Sequence, residues 1–168
     1  DALAIAPYFG GYLGKAENIP WVKLLTLDQL FDEIWSVALP EAFTWVSEAS
    51  ALATAYGVDL VSYEGGQHLV GQTYTDQQDA TLNALFDAAN RDARMGDVYR
   101  TYIQGWQDNG GGMYNNYCNC GPWATSGRWG VLEYLTQPRE SAPKFDAVQG
   151  VIEEAQAAAG TLLGDTLL

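Results

Sequence analysis

Cysteine and histidine are almost missing from this sequence of 168 residues, which contains two cysteines and one histidine. Cys118 and Cys120 are separated by one residue, so a disulfide between them would close a strained ring too short to staple the fold. A structural zinc site takes about four ligands. The sequence therefore predicts no disulfide framework, no metal centre and no cofactor. It leaves open whether the two thiols are free or form a bridge that stiffens one loop.

Basic residues are scarce as well. The chain has 8 lysines and arginines against 21 aspartates and glutamates, which gives a net charge of −13. An acidic protein repels phosphate backbones, so we expect no nucleic-acid partner. Long apolar runs are also missing, and without about 20 consecutive apolar residues we expect no membrane-spanning segment. The chain begins at Asp1 without a basic and apolar leader, from which we expect it to start inside a longer protein.

The sequence is rich in apolar and aromatic residues: 48% of its residues are hydrophobic and 12% aromatic, whereas 17% are charged. Such a composition is typical of a folded chain with one core, and a chain of this length buries roughly 70% of its unfolded surface. We therefore expect one domain over residues 1–168. Few charges beside many aromatic rings suit a surface that meets uncharged, flat-faced ligands such as sugars.

One structural pattern occurs three times along the chain: a strand, a polar loop and a helical segment. The predicted strands are residues 2–9, 58–64 and 111–116. Strands that alternate with helices predict βαβ units in a parallel sheet, with ligand-binding loops at the carboxyl ends of the strands. The three predicted β/α units span residues 1–57, 58–110 and 111–160.

Three strands are too few to close a barrel, because a complete eight-fold barrel takes about 250 residues. The predicted fold class is therefore α/β, a partial TIM-type barrel that has long or doubled helices and lacks its earlier strands. The open edge of the sheet then needs a cover. We expect either missing N-terminal barrel strands or another chain to provide it.

The helical segments carry more detailed predictions. Pro40 is predicted to interrupt the first long helix, and residues 75–78 have the spacing of a capping box. Trp35, Trp45 and Trp106 lie at helical spacing among aliphatic residues, which predicts that their indoles belong to the core.

Glu64 is the residue whose position suggests chemistry. Alternation along the second strand puts Glu64 on the same face as Leu60 and Ser62, which we predict to be the barrel interior. Val61 and Tyr63 are then on the opposite face, toward the helices. Glu64 is thereby predicted to be an inward carboxylate at the carboxyl end of a parallel strand. The alternative is an ordinary glutamate in a salt bridge or cap at the start of a loop.

These segments resemble retaining β/α-barrel glycoside hydrolases of the clan A type. Residues 61–67, Val-Ser-Tyr-Glu-Gly-Gly-Gln, are similar to the seventh strand of those enzymes, which ends in the nucleophilic glutamate. Residues 5–9 and 112–116 look like the sixth and eighth strands, and residues 129–133 like the segment before the last helix. The resemblance implies that Glu64 is the catalytic nucleophile of an enzyme that acts on polysaccharide, in a secreted or cell-surface protein.

The same resemblance implies a second carboxyl group that this chain does not supply. The family's acid/base lies on the fourth strand in an Asn-Glu pair, and the sequence has no Asn-Glu dipeptide. Glu17 and Glu133 do not match that motif. Three hypotheses follow: the nucleophile-bearing part of a glycoside hydrolase whose acid/base lies upstream of Asp1, a non-catalytic carbohydrate-binding barrel fragment, or a structural α/β domain without a sugar site.

Further residues are candidates for substrate binding. The resemblance implies a phenol that holds the nucleophile ionised, which is Tyr8 here; the alternative for Tyr8 is a plug in the top layer of the barrel. Gln67 and His68 follow Glu64 closely and are candidates for hydrogen bonds to sugar hydroxyls, with an ordinary loop position as the alternative. Asn116 at the end of the third strand is a similar candidate, with turn formation as its competing role.

Two tryptophans lie in the loop-rich stretch after the third predicted strand. Trp123 and Trp129 have glycine, proline, asparagine and serine as neighbours, where an indole needs something to pack against. The resemblance implies a tryptophan floor for the sugar ring at this place. Both residues are predicted to bind substrate, with Trp129 the stronger candidate.

Overall fold

The computed structural model describes the backbone of residues 1–165 and the side chains of residues 1–159. It is a mixed α/β structure with two strands. The strands are β1 (Ala2–Ile5) and β2 (Asp59–Ser62). The α-helices are α1 (Ile19–Val22), α2 (Leu27–Glu33), α3 (Leu39–Tyr56), α4 (Ala80–Arg91), α5 (Arg94–Asp108) and α6 (Pro143–Asp165). Among these residues no helix is both long and apolar enough to cross a membrane.

The two strands pair in parallel, as predicted for the first two units. Their register runs from Ala2 opposite Asp59 to Ile5 opposite Ser62. The regular strands are shorter than the predicted ranges 2–9 and 58–64, but the pairing resumes beyond them at an isolated parallel bridge between Phe9 and Gln67. The loops that follow β1 and β2 are therefore held side by side.

The prediction of a third strand at 111–116 is wrong. The segment lies beside β2, where the Gly112 amide donates to Leu60 O (2.8 Å) and the Ser62 amide donates to Met113 O (2.9 Å). A regular parallel ladder would use the carbonyl of Gly112 for the second bond, so one extra residue breaks the register. Gly110, with φ +88°, begins this irregular run. The described residues thus form a two-stranded sheet with a bound segment, and three complete β/α units of a barrel are not seen.

Two helix boundaries differ from the prediction. Residues 34–38 form a π-helical segment that joins α2 to α3 without a break, and Pro40 lies in the first turn of α3, where its missing N–H costs little. The capping box is found at Thr26 and Gln29 rather than at 75–78. The N-cap of α4 is Asp79, whose carboxylate accepts the amides of Thr81 and Leu82.

One face of the sheet packs on helices. Leu60 is buried with Val46 and Ala53 of α3 and with Trp106 of α5. This reverses the predicted facing of β2, because Leu60 points toward the helices and not toward a barrel interior. On the opposite face Ala4, paired with Val61, is exposed. In the described residues β1 has a strand neighbour on one side alone.

The flank of α3 next to β1 is apolar and exposed. Trp45 is 48% exposed, Leu52 51% and Tyr56 78%, and the last two border a shallow cleft with Ala2 and Leu3 of β1. The prediction that Trp45 belongs to the core is therefore wrong, as it is for Trp35, which is 37% exposed. Trp106 is fully buried, as predicted.

Candidate active site

Backbone hydrogen bonds bring the candidate residues of two loops together. The Phe9 amide donates to Gly66 O (3.0 Å), and the His68 amide donates to Phe9 O (2.8 Å). Tyr8 in the first loop is therefore set beside Glu64 and His68 in the second. This junction lies beyond the carboxyl ends of both strands, where parallel sheets present their ligand-binding residues.

Glu64 reaches this junction through a bend of the backbone. Strict alternation would send its side chain to the helical face with Leu60 and Ser62, but β2 ends at Ser62 and the chain bends at Tyr63 and Glu64. The Ser62 hydroxyl donates to Glu64 O (2.9 Å) and closes the bend. Glu64 thus lies beyond the carboxyl end of β2, as predicted, although the alternation used to predict its facing ends at Ser62.

The Glu64 carboxylate acts on the Tyr8 phenol. Burial raises the pKa of Tyr8 well above its usual range, and the charge of the nearby Glu64 carboxylate raises it further. Tyr117 and Tyr99 contribute less. Tyr8 therefore stays protonated and can offer its O–H to an ionised carboxylate. Within the described residues Glu64 has no salt bridge, so the alternative of a salt-bridged loop glutamate does not hold.

Four rings lie in contact at this junction; we call Tyr8, His68, Tyr117 and Trp129 the aromatic cluster. Ring centroids are 5.0 Å apart for His68 and Trp129, 5.5 Å for Tyr8 and His68, and 5.7 Å for Tyr8 and Trp129. Tyr117 contacts Trp129 at 6.0 Å. All four contacts are edge-to-face, the favoured arrangement of neighbouring rings. Tyr117 was not predicted from the sequence, although its position directly after Asn116 is a usable signal.

His68 is a half-buried member of the cluster. Burial lowers the pKa of its imidazole below 6.5, so the ring is neutral at pH 7. Its Nδ1 is buried and has no hydrogen-bond partner among the described residues. A Cβ at Gly11 would lie 3.4 Å from that nitrogen, so glycine leaves it room. A neutral imidazole can accept or donate one hydrogen bond, which suits a sugar hydroxyl.

The glycine pair after Glu64 lies on a layer of buried tyrosines. Gly66 has φ +137°, and a Cβ there would lie 3.0 Å from the Tyr99 hydroxyl and 3.3 Å from Asn116 Oδ1. Burial raises the pKa of the phenols in this layer above the usual range. The residues concerned are Tyr99, Tyr102 and Tyr114. Glycine therefore allows the loop that carries Glu64 to lie directly on this layer.

Asn116 and Gln67 lie next to the loop that carries Glu64 or within it, on its buried side. Asn116 Oδ1 accepts a hydrogen bond from the Tyr114 hydroxyl (3.2 Å), whereas its buried Nδ2 has no partner among the described residues. Gln67 is 2% exposed; its Nε2 donates to Arg128 O (2.8 Å) and its Oε1 accepts from the Leu69 amide (2.7 Å). The predicted contact of Gln67 with substrate is thus replaced by a structural role, because a buried and engaged amide has no access to a ligand.

The two candidate tryptophans, Trp123 and Trp129, have different surroundings. Trp129 lies in the aromatic cluster, with its Nε1 donating to Ser126 O (3.0 Å). Trp123 is instead stacked with two cations: the Arg91 guanidinium lies 5.0 Å and Lys144 Nζ 4.5 Å from its ring centre. Its Nε1 donates to Gly130 O (3.1 Å), so the indole is engaged by protein groups at its face and at its nitrogen. Trp129 therefore belongs to the aromatic cluster, whereas Trp123 packs against two cations away from it.

One carboxylate, that of Glu64, acts on the Tyr8 ring of the aromatic cluster. Glu133 is engaged by Arg91 through both of its oxygens, and Glu17 lies exposed in the loop before α1. Among the described side chains of residues 1–159 no group of three or more histidines, cysteines, aspartates or glutamates is arranged to hold a metal ion. Cys118 and Cys120 are free thiols. One carboxylate beside a phenol can act as a nucleophile or accept hydrogen bonds, but a two-carboxylate mechanism needs a second group.

Comparison with known proteins found no matching family model, no matching curated protein and no matching solved structure. The likeness to glycoside hydrolases therefore stays a prediction from the residues quoted above.

Proposed function

We propose that this chain forms the nucleophile-bearing part of a retaining β-glycoside hydrolase that acts on polysaccharide, with Glu64 as the nucleophile. The observation that carries the proposal is the pairing of Glu64 with Tyr8 beyond the carboxyl ends of two parallel strands, with Trp129 at the same place. A hydroxyl that donates to a carboxylate favours its charged form, which a nucleophile requires.

The proposed chemistry assigns a role to each group. Glu64 attacks the anomeric carbon and forms a glycosyl ester while the leaving-group oxygen takes a proton from an acid; water then cleaves the ester, with the same acid acting as base. Tyr8 donates its O–H to the carboxylate. Trp129 offers an apolar face for the C–H groups of the sugar ring, and the neutral His68 bonds a hydroxyl.

The acid/base is proposed to come from polypeptide that continues the sheet beyond β1, either N-terminal barrel strands or another chain. Three features support a cover at this place: the free edge of β1, the exposed face at Ala4 and the apolar flank of α3 at Leu52 and Tyr56. Parallel sheets are normally covered on both faces, and free edges are normally protected. A secreted or cell-surface location is proposed on the resemblance alone.

A second candidate is a non-catalytic carbohydrate-binding site. The presence of a single carboxylate beside Tyr8 favours it, because the groups whose charge acts on Tyr8 are Glu64, Tyr117 and Tyr99, and Glu64 alone is a carboxylate. The rings of the aromatic cluster serve sugar binding in either case.

Release of dinitrophenolate from a panel of 2,4-dinitrophenyl β-glycosides tests the proposal. This leaving group departs without protonation, so the first step does not need the acid. We expect the 168-residue chain to release about one equivalent in a burst and then nearly stop, since the second step lacks its base. Glu64→Gln should slow the burst about a thousand-fold or more. Glu17→Gln, an exposed carboxylate outside the cluster, is the matched control and should behave like the wild type.

Sugar titrations followed by NMR separate the remaining outcomes. Saturable binding that is lost in Trp129→Ala and kept in Trp45→Ala, without any burst, would favour the binding module. If neither a burst nor sugar binding is observed, both proposals are contradicted, and the hypothesis of a structural domain remains.

A further inference from the structure

One backbone oxygen joins three separate parts of the molecule. The carbonyl oxygen of Arg128 accepts hydrogen bonds from Gln67 Nε2 (2.8 Å) and from Lys144 Nζ (2.6 Å). Gln67 belongs to the loop after β2, Lys144 to the first turn of α6, and Arg128 directly precedes Trp129. The position of this oxygen therefore depends on α6 as well as on the loop that carries Glu64 and His68.

Lys144 is an unusual residue for this place because it is fully buried. Its Nζ also donates to Asn90 Oδ1 of α4 (2.9 Å) and lies above the Trp123 ring, but it has no salt bridge to a carboxylate among the described residues. Burial lowers its pKa well below the usual value. A buried lysine without an ion pair is expensive in free energy, so a contribution to stability does not explain its position.

Arg128 is also held through its side chain. It is 1% exposed, its Nε pairs with Asp87 Oδ1, and its Nη2 donates to Asn83 Oδ1 (2.8 Å). With the side chain anchored on α4 and the carbonyl held by two donors, the peptide that leads into Trp129 has little freedom. The same carbonyl restrains Gln67, which is joined directly to His68.

We propose that Lys144 is a positioning residue, which sets the Trp129 and His68 rings of the aromatic cluster by holding the Arg128 carbonyl jointly with Gln67. It acts through the backbone and makes no contact of its own with a ligand. The inference deepens the proposed carbohydrate site and rests on it for the identity of the ligand. The geometry of the two rings, 5.0 Å apart, can be measured without any sugar.

NMR of His68 and of fluorinated tryptophan tests the proposal. His68 is the single histidine of the chain, so its imidazole signal is unambiguous, and 5-fluorotryptophan at position 129 is assigned with Trp129→Phe. The groups next to the imidazole are the Tyr8 phenol and the Trp129 indole. Lys144→Met keeps the length of the side chain and removes its donor. We expect the His68 pKa to rise by about 0.5 or more toward its ordinary value as the ring loses its cover, and the Trp129 fluorine signal to move.

Two further variants separate positioning from charge and from stability. Gln67→Met removes the other donor to the same oxygen without a change of charge, and it should move both signals in the same direction. Val151→Ala shortens a partly buried residue of α6 away from this carbonyl, and it should destabilise the fold while leaving both signals in place. A shift in Lys144→Met without a shift in Gln67→Met would assign the effect to charge and overturn the proposal.

The remaining outcomes also test the positioning role of Lys144. A folded Lys144→Met chain with unchanged His68 and Trp129 signals overturns the positioning role. If Lys144→Met does not fold, Lys144→Gln, which retains an N–H donor, is measured instead and should give a smaller shift of the same sign. Loss of folding in both variants would make Lys144 a residue of fold stability and overturn the proposal. Because no sugar is present, these results are independent of success or failure in the dinitrophenolate assay.

Discussion

The charge of the Glu64 carboxylate acts on the Tyr8 phenol, although the two residues follow different strands of the sheet. Burial is the largest cause of the raised pKa of Tyr8, followed by the charge of Glu64. The pairing depends on the backbone bonds between Phe9, Gly66 and His68, which fix the two loops against each other.

Replacing Tyr8 by phenylalanine removes the O–H and keeps the ring in the aromatic cluster. We expect the dinitrophenolate burst to slow by about 10- to 100-fold, because the carboxylate loses a hydrogen-bond donor that stabilises its charge. The chain offers a matched control in Tyr12, whose hydroxyl donates to Glu33 Oε1 at 2.6 Å outside the cluster. Tyr12→Phe should lose about 1 kcal/mol of unfolding free energy and leave the burst unchanged. An unchanged burst in Tyr8→Phe would contradict the role given to the phenol.

Alkaline pH should reveal the buried phenols. Five of the ten tyrosines have a pKa raised above 10, in each case with burial as the first cause. They are Tyr8, Tyr12, Tyr99, Tyr102 and Tyr114. The unfolded chain loses these protons near pH 10 and the native chain later, so the free energy of unfolding must fall as pH rises above about 10.

The measurement is a tyrosinate absorbance titration with circular dichroism on the same samples. At about pH 11 at least five phenols should remain protonated for as long as the native spectrum persists, and they should ionise together with unfolding. Reversible ionisation of all ten tyrosines near pH 10 in a folded chain would show that the phenol layer is not buried.

The sequence predicted those parts of the fold that depend on local patterns of strands and helices. The parallel pairing of β1 and β2 follows from two strands separated by helices, and it was predicted. The segment at 111–116 failed as a strand because its register slips at Met113, after the positive φ of Gly110, and no periodicity of the sequence reports such a slip. Trp45 failed as a core residue because helical spacing identifies an apolar face without saying whether anything covers it.

The site was predicted in part for similar reasons. Glu64, Tyr8, His68 and Trp129 do come together, since they lie at the same end of the sheet. Gln67 is indistinguishable from a ligand-facing residue in the sequence, and its hydrogen bond to Arg128 O crosses 61 positions of the chain. The role of such a residue depends on long-range contacts, which local patterns do not encode.

Acid pH should act on the fold through His68. Burial lowers the pKa of the native imidazole below 6.5, so the unfolded chain takes up the proton first as pH falls. Below about pH 6.5 the wild type should therefore lose unfolding free energy that His68→Gln does not lose. Denaturant titrations of both proteins between about pH 7 and 5 measure the difference. The carboxylates contribute equally to the pH dependence of both proteins, so their contribution cancels in the comparison. Parallel pH profiles would contradict the burial of this imidazole.

Gly66, in the loop that carries Glu64, should tolerate no side chain. Gly66→Ala adds a Cβ 3.0 Å from the Tyr99 hydroxyl at φ +137°, and we expect a loss of about 3 kcal/mol or more. Gly57→Ala is the control: its φ is +64°, but no atom lies within 4 Å of the new Cβ, so the backbone strain alone should cost about 1–2 kcal/mol. Thermal or denaturant unfolding of the two variants checks the difference. Equal losses would show that the loop does not lie tightly on the tyrosine layer.

The measurement that tests the proposed role of Glu64 as nucleophile most directly is the position of a trapped sugar. A panel of 2-deoxy-2-fluoro-β-glycosyl fluorides supplies leaving groups that need no acid, and the fluorine at C2 slows the cleavage of the glycosyl ester. After incubation of the 168-residue chain, intact mass followed by tandem mass spectrometry of its peptides should show one adduct, on the Glu64 carboxylate, and none in Glu64→Gln. An adduct on Glu17 or Glu133, equal labelling of Glu64→Gln, or no adduct from any sugar that NMR shows to be bound would contradict the assignment.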